Sequence, residues 1–398
     1  MEMLSWERSP SLASMRCDRA WVEISLPAIA SNVREFKRLL SPRTELMAVV
    51  KADAYGHGAV TVAQTALAAG ASWLGVATIP EGIELREAGI QSPVLVLGAT
   101  NTPEQIRAQV RWRLQPTLCT PQQALVFSET LESLNQSVPV HLKIDTGMSR
   151  LGVPWQQVAE FVGLVRRLPN LTIASIYSHF ATADSPDPTG MQQQQARFQA
   201  AIGLLQAVGI PLPRLHFANS AATLTDPALH LDMVRVGLAI YGLYPAEHLK
   251  QTVDLQPVLQ VKARVTQVKT LEAGTGVSYG YQFIASKEMR LAVVGIGYAD
   301  GVPRNLSNKM SVLVRGQMVP QVGAITMDQM MLDASSIPDL QVGEVVTLLG
   351  CDGASQICAE DWAAKLGTIS WEILCGFKHR LPRVPVGQLS AEKQPTVQ

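Results

Sequence analysis

Lys51 ends the apolar run Leu46-Met47-Ala48-Val49-Val50 and opens the stretch Lys51-Ala52-Asp53-Ala54-Tyr55-Gly56-His57-Gly58. A strand built from that run is buried, so it delivers the ammonium group to a partly dry place that favours the neutral amine. A neutral amine is a nucleophile and can form a Schiff base. The same spacing also suits a lysine that caps a strand and reaches out to solvent. Other polar side chains end apolar runs in the same way: Asp145, His179, Asn219 and Arg235. Taken singly, each has a structural reading. His179 can be a hydrogen-bonded core histidine, Asp145 a cap for the turn at Gly147, Asn219 a turn residue and Arg235 one half of an ion pair.

The elements that must position these residues alternate regularly. Strand patterns fall at 45–51, 73–78, 94–99, 114–119, 139–145, 171–179, 214–219 and 233–237, and helical composition fills 59–69, 121–134, 155–168 and 192–208. A short strand near 21–24 precedes them, and Leu26, Ile29, Val33, Phe36 and Leu40 then share one helical face. Eight strands interleaved with helices predict an α/β fold, a closed (β/α)8 TIM barrel whose working residues stand at the carboxyl ends of the strands. An open doubly wound sheet is the alternative. Past Leu255 the pattern changes to strands at 261–268, 291–296, 311–314 and 345–349, with one clear helix at 359–366, which reads as a mainly-β domain. The expected division is an N-terminal extension at 1–17, a barrel at 18–255, a β domain at 256–385 and a frayed tail at 386–398.

Composition narrows the function. With 33 basic and 33 acidic residues among 398, the chain has no charge excess to draw it to nucleic acid or an anionic membrane. Hydrophobic residues make up 47%, enough for two packed cores, yet no apolar run reaches the length of a membrane span. The first residues lack the cationic start and apolar centre of a secretory signal, so the expected location is cytoplasmic. The cysteines, Cys17, Cys119, Cys351, Cys358 and Cys375, include no close pair at metal-ligand spacing, and no metal is expected.

The motifs themselves are specific. The Lys51 to Gly58 stretch resembles the cofactor-lysine motif of the alanine racemases, pyridoxal phosphate enzymes of the barrel type. Further similar motifs follow in that family's order: Asp145-Thr146-Gly147-Met148-Ser149-Arg150-Leu151-Gly152, Ser178-His179-Phe180-Ala181, Asn219-Ser220-Ala221, Arg235-Val236-Gly237, Val277-Ser278-Tyr279-Gly280, Gly297-Tyr298-Ala299-Asp300-Gly301 and Met327-Asp328-Gln329. The resemblance covers both domains, and the ordered set is far more specific than any one motif.

The resemblance implies that Lys51 holds pyridoxal 5'-phosphate as an imine and that the reaction interconverts L-alanine and D-alanine, supplying D-alanine for peptidoglycan. Two bases are needed, one for each face of the substrate carbon: Lys51 for the D-enantiomer and Tyr279 for the L-enantiomer. A phenol is a weak base near neutral pH, and the family gives it a helper, His179, held in turn by Arg235. Arg235 would also face the pyridine nitrogen, disfavouring its protonation and limiting side reactions. Tyr55, Asn219, Ser220, Gly237 and Leu238 would complete the cofactor site. Arg150, Tyr298, Asp328 and the backbone amide of Met327 would surround the substrate, and Lys143 matches a position carbamylated in some members. The family completes each site with the β domain of a second subunit, which implies a homodimer. Two departures stand out: Thr326 where some members have cysteine, and His379 where some have a phosphate-binding tyrosine. A serine or broad-specificity racemase shares nearly every motif, and a non-catalytic pyridoxal phosphate carrier shares the barrel but lacks the β domain.

Overall fold

The computed structural model describes residues 19–377 and 379–387, so the expected extension at 1–17 and most of the expected tail lie outside the described residues. The chain divides into two compact units, with the break between Gln256 and Pro257.

In the unit of residues 26–256, eight parallel strands close on themselves: Glu45–Val49, Trp73–Val76, Val94–Ala99, Gln115–Leu118, Val138–Asp145, Leu171–Tyr177, Arg214–His216 and Met233–Val236. Closure is made by the last strand lying beside the first, with Val234 opposite Leu46 and Arg235 opposite Met47. This is the (β/α)8 barrel expected from the alternation, and the open sheet is excluded. Strands walled by helices outside and packed inside are buried on both faces, which is why 46–49 and 94–96 read as continuous apolar runs. Met47, Trp73, Leu95 and Met233 meet inside the barrel, each burial worth roughly 1.5–3 kcal/mol. Helix starts are set by local chemistry. Thr78 and Glu81 form a capping box before Ile79–Glu87, Thr102 and Gln105 another before Pro103–Arg111, and proline occupies the first turn in both.

Three strands stop earlier than their apolar patterns. Glu45–Val49 ends before Lys51, Leu171–Tyr177 before His179 and Arg214–His216 before Asn219. Lys51, His179 and Asn219 therefore stand on the turns just beyond the strand ends, while Asp145 and Arg235 lie on their strands.

The other unit joins residues 257 onward to the strand Ala20–Ser25. That strand runs antiparallel to Leu259–Leu271 and parallel to Arg383–Val386, so it is interior to the β sheet. The expected barrel start at residue 18 therefore differs from the structure, in which the barrel unit starts at Leu26; pairing, not chain order, decides where a strand belongs. Leu259–Leu271 also pairs with Met289–Val294 and Val345–Asp352, and its buried residues alternate along its first half. Besides the expected helix Ala359–Leu366, a second one, Ser370–Gly376, is present; its seven residues are too few to show helical periodicity in sequence.

Candidate active site at the carboxyl ends of the barrel strands

After Lys51 the backbone takes an unusual course. Residues 52, 53, 54 and 55 all have φ between 51° and 55°, making one left-handed turn from non-glycine residues. Each such residue costs roughly 1–2 kcal/mol, so the surroundings must hold the turn in place. They do so with hydrogen bonds. Glu81 accepts from the amides of Ala52 at 2.8 Å, Ala77 at 2.7 Å and Thr78 at 3.1 Å. Asp53 accepts from Ala59 N at 2.8 Å, and Ala54 N donates to Val50 O at 2.9 Å. The turn fixes where Lys51 starts and where the Tyr55 side chain arrives.

Tyr55 arrives at Gly237. A β-carbon on Gly237 would come within 2.8 Å of the Tyr55 hydroxyl, so only glycine leaves that space open. Ser220 Oγ accepts from Gly237 N at 3.0 Å, and Asn219 caps the short helix Ser220–Thr225 by accepting from Ala222 N at 3.0 Å. The Tyr55 ring packs against Tyr241, whose hydroxyl donates to Val49 O at 2.8 Å. The Tyr55 and Ser220 hydroxyls thus converge on the backbone of Gly237 and form a small polar cup.

Beside the cup lie several cations. Arg235 is 4% exposed and donates to His179 Nδ1 at 3.2 Å, His216 Nδ1 at 3.0 Å, Ser178 O at 2.7 Å and Phe217 O at 3.1 Å. Its guanidinium also lies 5.1 Å from the centre of the Tyr177 ring, with Lys143 Nζ at 5.3 Å. Burial lowers the Arg235 pKa to about 10. Lys143 falls to about 8, through burial first and then the charges of Arg235, Arg150 and Lys51. His179 is held well below the usual imidazole range by burial, then by Arg235, Lys143, Arg150 and Lys51. Arg235 bonds His179 and lies with Lys143 against the Tyr177 ring, so these groups share one electrostatic field, to which Lys51 and Arg150 add positive charge. Its excess of positive charge is suited to an anion. Asp145 does not balance it directly, since its carboxylate caps the turn by accepting from Gly147 N at 2.9 Å and Ser149 N at 3.0 Å.

The remaining candidates lie on loops of the β unit. Ser278, at φ 62°, precedes Tyr279 and donates to Ala324 O at 2.7 Å, leaving Tyr279 72% exposed. Tyr298 N donates to Thr326 O, and Ala299 N to Met327 O, both at 3.0 Å. That close approach needs Gly297, where a β-carbon would lie 2.3 Å from Thr326 O. Tyr279, Tyr298 and Met327 therefore sit on neighbouring loops, all exposed. The Asp328 carboxylate accepts from Arg380 at 2.7 Å, and Thr326 Oγ1 donates to Gln329 O at 2.8 Å, so both brace this loop.

Comparison with known proteins decides what these two sets of loops belong to. The family model for the alanine racemase N-terminal domain matches residues 24–245, and that for the alanine racemase C-terminal domain matches residues 258–385. The chain belongs to the alanine racemase family. An alanine racemase of Nostoc sp. is 70% identical over 370 residues, 92% of this chain and 96% of that one. One of Synechocystis sp. is 64% identical over 366 residues, 92% and 98% of the two chains. Among solved structures, the alanine racemase of the D-cycloserine producer Streptomyces lavendulae has a TM-score of 0.87 at 37% identity, covering 96% of this chain and 99% of its own. That of Streptomyces coelicolor A3(2) gives 0.88 at 35% identity, covering 94% and 100%.

Within this alanine racemase fold, sequence reading passed over two supports of the site. Glu81 was legible as the fourth position of Thr78-x-x-Glu81, a capping pattern. Its third bond, to Ala52 N beside Lys51, has no local signal because it joins two separate turns. His216 was also missed, as its tie to Arg235 is a contact between neighbouring strands.

Proposed function

We propose that this chain interconverts L-alanine and D-alanine with pyridoxal 5'-phosphate, as a cytoplasmic homodimer that supplies D-alanine for peptidoglycan. The observation that carries the reading is the joining of Lys51 to the Tyr55–Gly237–Ser220 cup by one left-handed turn, inside a cluster of cations. The residues fit this cofactor. Lys51 Nζ would hold its aldehyde carbon, Tyr55, Ser220 and the amides of Gly237 and Leu238 its phosphate, and Arg235 its ring nitrogen, with Asn219 and His179 beside it. When bound, the cofactor supplies an electron-withdrawing ring that acidifies the substrate α-carbon.

The chain's own groups do the rest. Arg150 pairs with the substrate carboxylate, aided by the backbone amide of Met327, while Asp328 holds that loop and Tyr298 narrows the entrance. Lys51 Nζ takes the proton from D-alanine, and Tyr279 Oη, from the β domain of a second copy, takes it from L-alanine. His179, held by Arg235, supports the phenol oxygen. Arg235 is a permanent cation where a carboxylate would favour ring protonation, which restrains transamination.

The test is conversion of L-alanine to D-alanine by the native protein, Lys51→Ala and Tyr279→Phe, with the visible absorbance of bound cofactor followed alongside. Lys51→Ala should lose both the absorbance and nearly all activity. Tyr279→Phe should keep the absorbance and lose racemisation; full activity in either variant rules out the two-base reading. Comparing kcat/KM for alanine and serine separates an alanine enzyme from a broader racemase.

A further inference from the structure

Behind Arg235 a line of buried polar side chains crosses the barrel interior, and none of them is assigned to cofactor or substrate. Arg235 Nη1 lies 3.0 Å from His216 Nδ1, and His216 Nε2 lies 2.8 Å from Ser175 Oγ. Ser175 Oγ lies 2.6 Å from His141 Nδ1, and His141 Nε2 lies 2.7 Å from Gln115 Oε1. His141, Ser175 and His216 are all 0% exposed, where a polar group left unbonded is costly. Aromatic rings wall the imidazoles: Tyr177 stacks on His216 with centroids 4.6 Å apart, and Trp73 meets His141 edge-on at 5.6 Å.

The two ends fix the direction of every bond. A guanidinium only donates, so His216 Nδ1 must accept. Burial, with the Arg235 charge beside His216 and that of Arg214 near His141, keeps both rings neutral. A neutral imidazole has one N–H, so His216 carries it on Nε2 and donates to Ser175. The single serine proton then goes to His141 Nδ1. His141 is left with its proton on Nε2, which is what the Gln115 carbonyl oxygen accepts. Reversing the chain would set an N–H of His216 against an N–H of Arg235.

We propose that Gln115, Ser175, His141 and His216 are positioning residues, a one-way hydrogen-bond chain that locks His216 as the Nε2–H tautomer and aims Arg235 from behind. An uncharged acceptor orients the guanidinium without neutralising it, as a carboxylate in that place would. The full positive charge therefore remains available on the side that faces the ligand. The effect on catalysis rests on the role proposed above for Arg235; the tautomer does not.

The direct test is 15N NMR of histidine-labelled, cofactor-loaded protein, with resonances assigned through His216→Asn and His141→Asn. Both rings should be neutral with the proton on Nε2; a proton on His216 Nδ1, or on both its nitrogens, overturns the chain. Ser175→Ala should then give mixed His216 tautomers and lower kcat about tenfold, with KM for alanine within about twofold. It should also raise transamination, in which the alanine amino group passes to the cofactor aldehyde carbon and pyruvate is released. Ser175→Thr, which keeps the hydroxyl, should restore both values. A folded Ser175→Ala protein with native kcat and a native ratio of pyruvate to racemised alanine also overturns the proposal. If that variant does not fold, Gln115→Leu reads the same quantities from the far end of the chain. Absence of racemisation in the native protein would sink the functional reading, while the tautomer measurement would still judge the chain.

Discussion

Lys143 shows at the scale of one residue what the site demands. It is 6% exposed, and its amine sits near Arg235, Arg150 and Lys51, so its protonated form adds charge to a place already rich in it. Depression of its pKa to about 8 leaves about a tenth of the amine neutral at pH 7. A neutral amine can combine with carbon dioxide to give a carbamate and a released proton. The resulting anion would be attracted by the same cations that disfavour the ammonium. The expected outcome is a carbamate carbonyl resonance in 13C NMR of the folded protein equilibrated with 13C-labelled bicarbonate, absent from Lys143→Ala. A plain amine there under those conditions would remove carbamylation from the site.

The left-handed turn is the element on which the proposed site depends. Its strain is offset by bonds from Glu81 and Asp53, and it joins Lys51, just past the strand Glu45–Val49, to the hydroxyl of Tyr55. Ala52 tests this directly, because its side chain is exposed and only its backbone conformation is at stake. Ala52→Val, with a branched β-carbon at positive φ, should destabilise the protein by about 2 kcal/mol in chemical denaturation. Ala52→Gly should be neutral or stabilising by up to about 1 kcal/mol, the relieved strain being partly cancelled by the freer unfolded chain. If both variants unfold at the native midpoint, the turn carries no strain in solution.

At the scale of the molecule, the β unit leaves large side chains in water. Tyr279 is 72% exposed, Tyr281 69%, Ile284 57% and Met327 53%. Large aromatic and apolar side chains left in water are the kind of surface that a partner covers, and the proposed second copy would cover them. On dilution, activity per subunit should fall together with the dimer fraction seen by sedimentation. Constant activity in a range where only monomer sediments would show that one chain suffices. Among the described residues no helix is long and apolar enough to cross a membrane.

The sequence by itself determined the eight-fold alternation, because barrel strands buried on both faces are mostly apolar and so stand out as runs. It also placed Lys51, Asp145, His179, Asn219 and Arg235 at or near the carboxyl ends of such runs, whereas the buried polar groups within the strands, such as His141, Ser175 and His216, are tolerated because each has hydrogen-bond partners. Only the tertiary structure decided that Ala20–Ser25 joins the β sheet, because its pairing energy comes from Leu259–Leu271 and Arg383–Val386, far along the chain. The left-handed turn was likewise invisible: Ala52, Asp53, Ala54 and Tyr55 have no intrinsic preference for it, and the bonds that hold it come partly from Glu81. The chain from Gln115 to Arg235 left no periodic trace either. Each of its bonds joins residues at least 19 positions apart, so their meeting is set by barrel closure and not by local pattern.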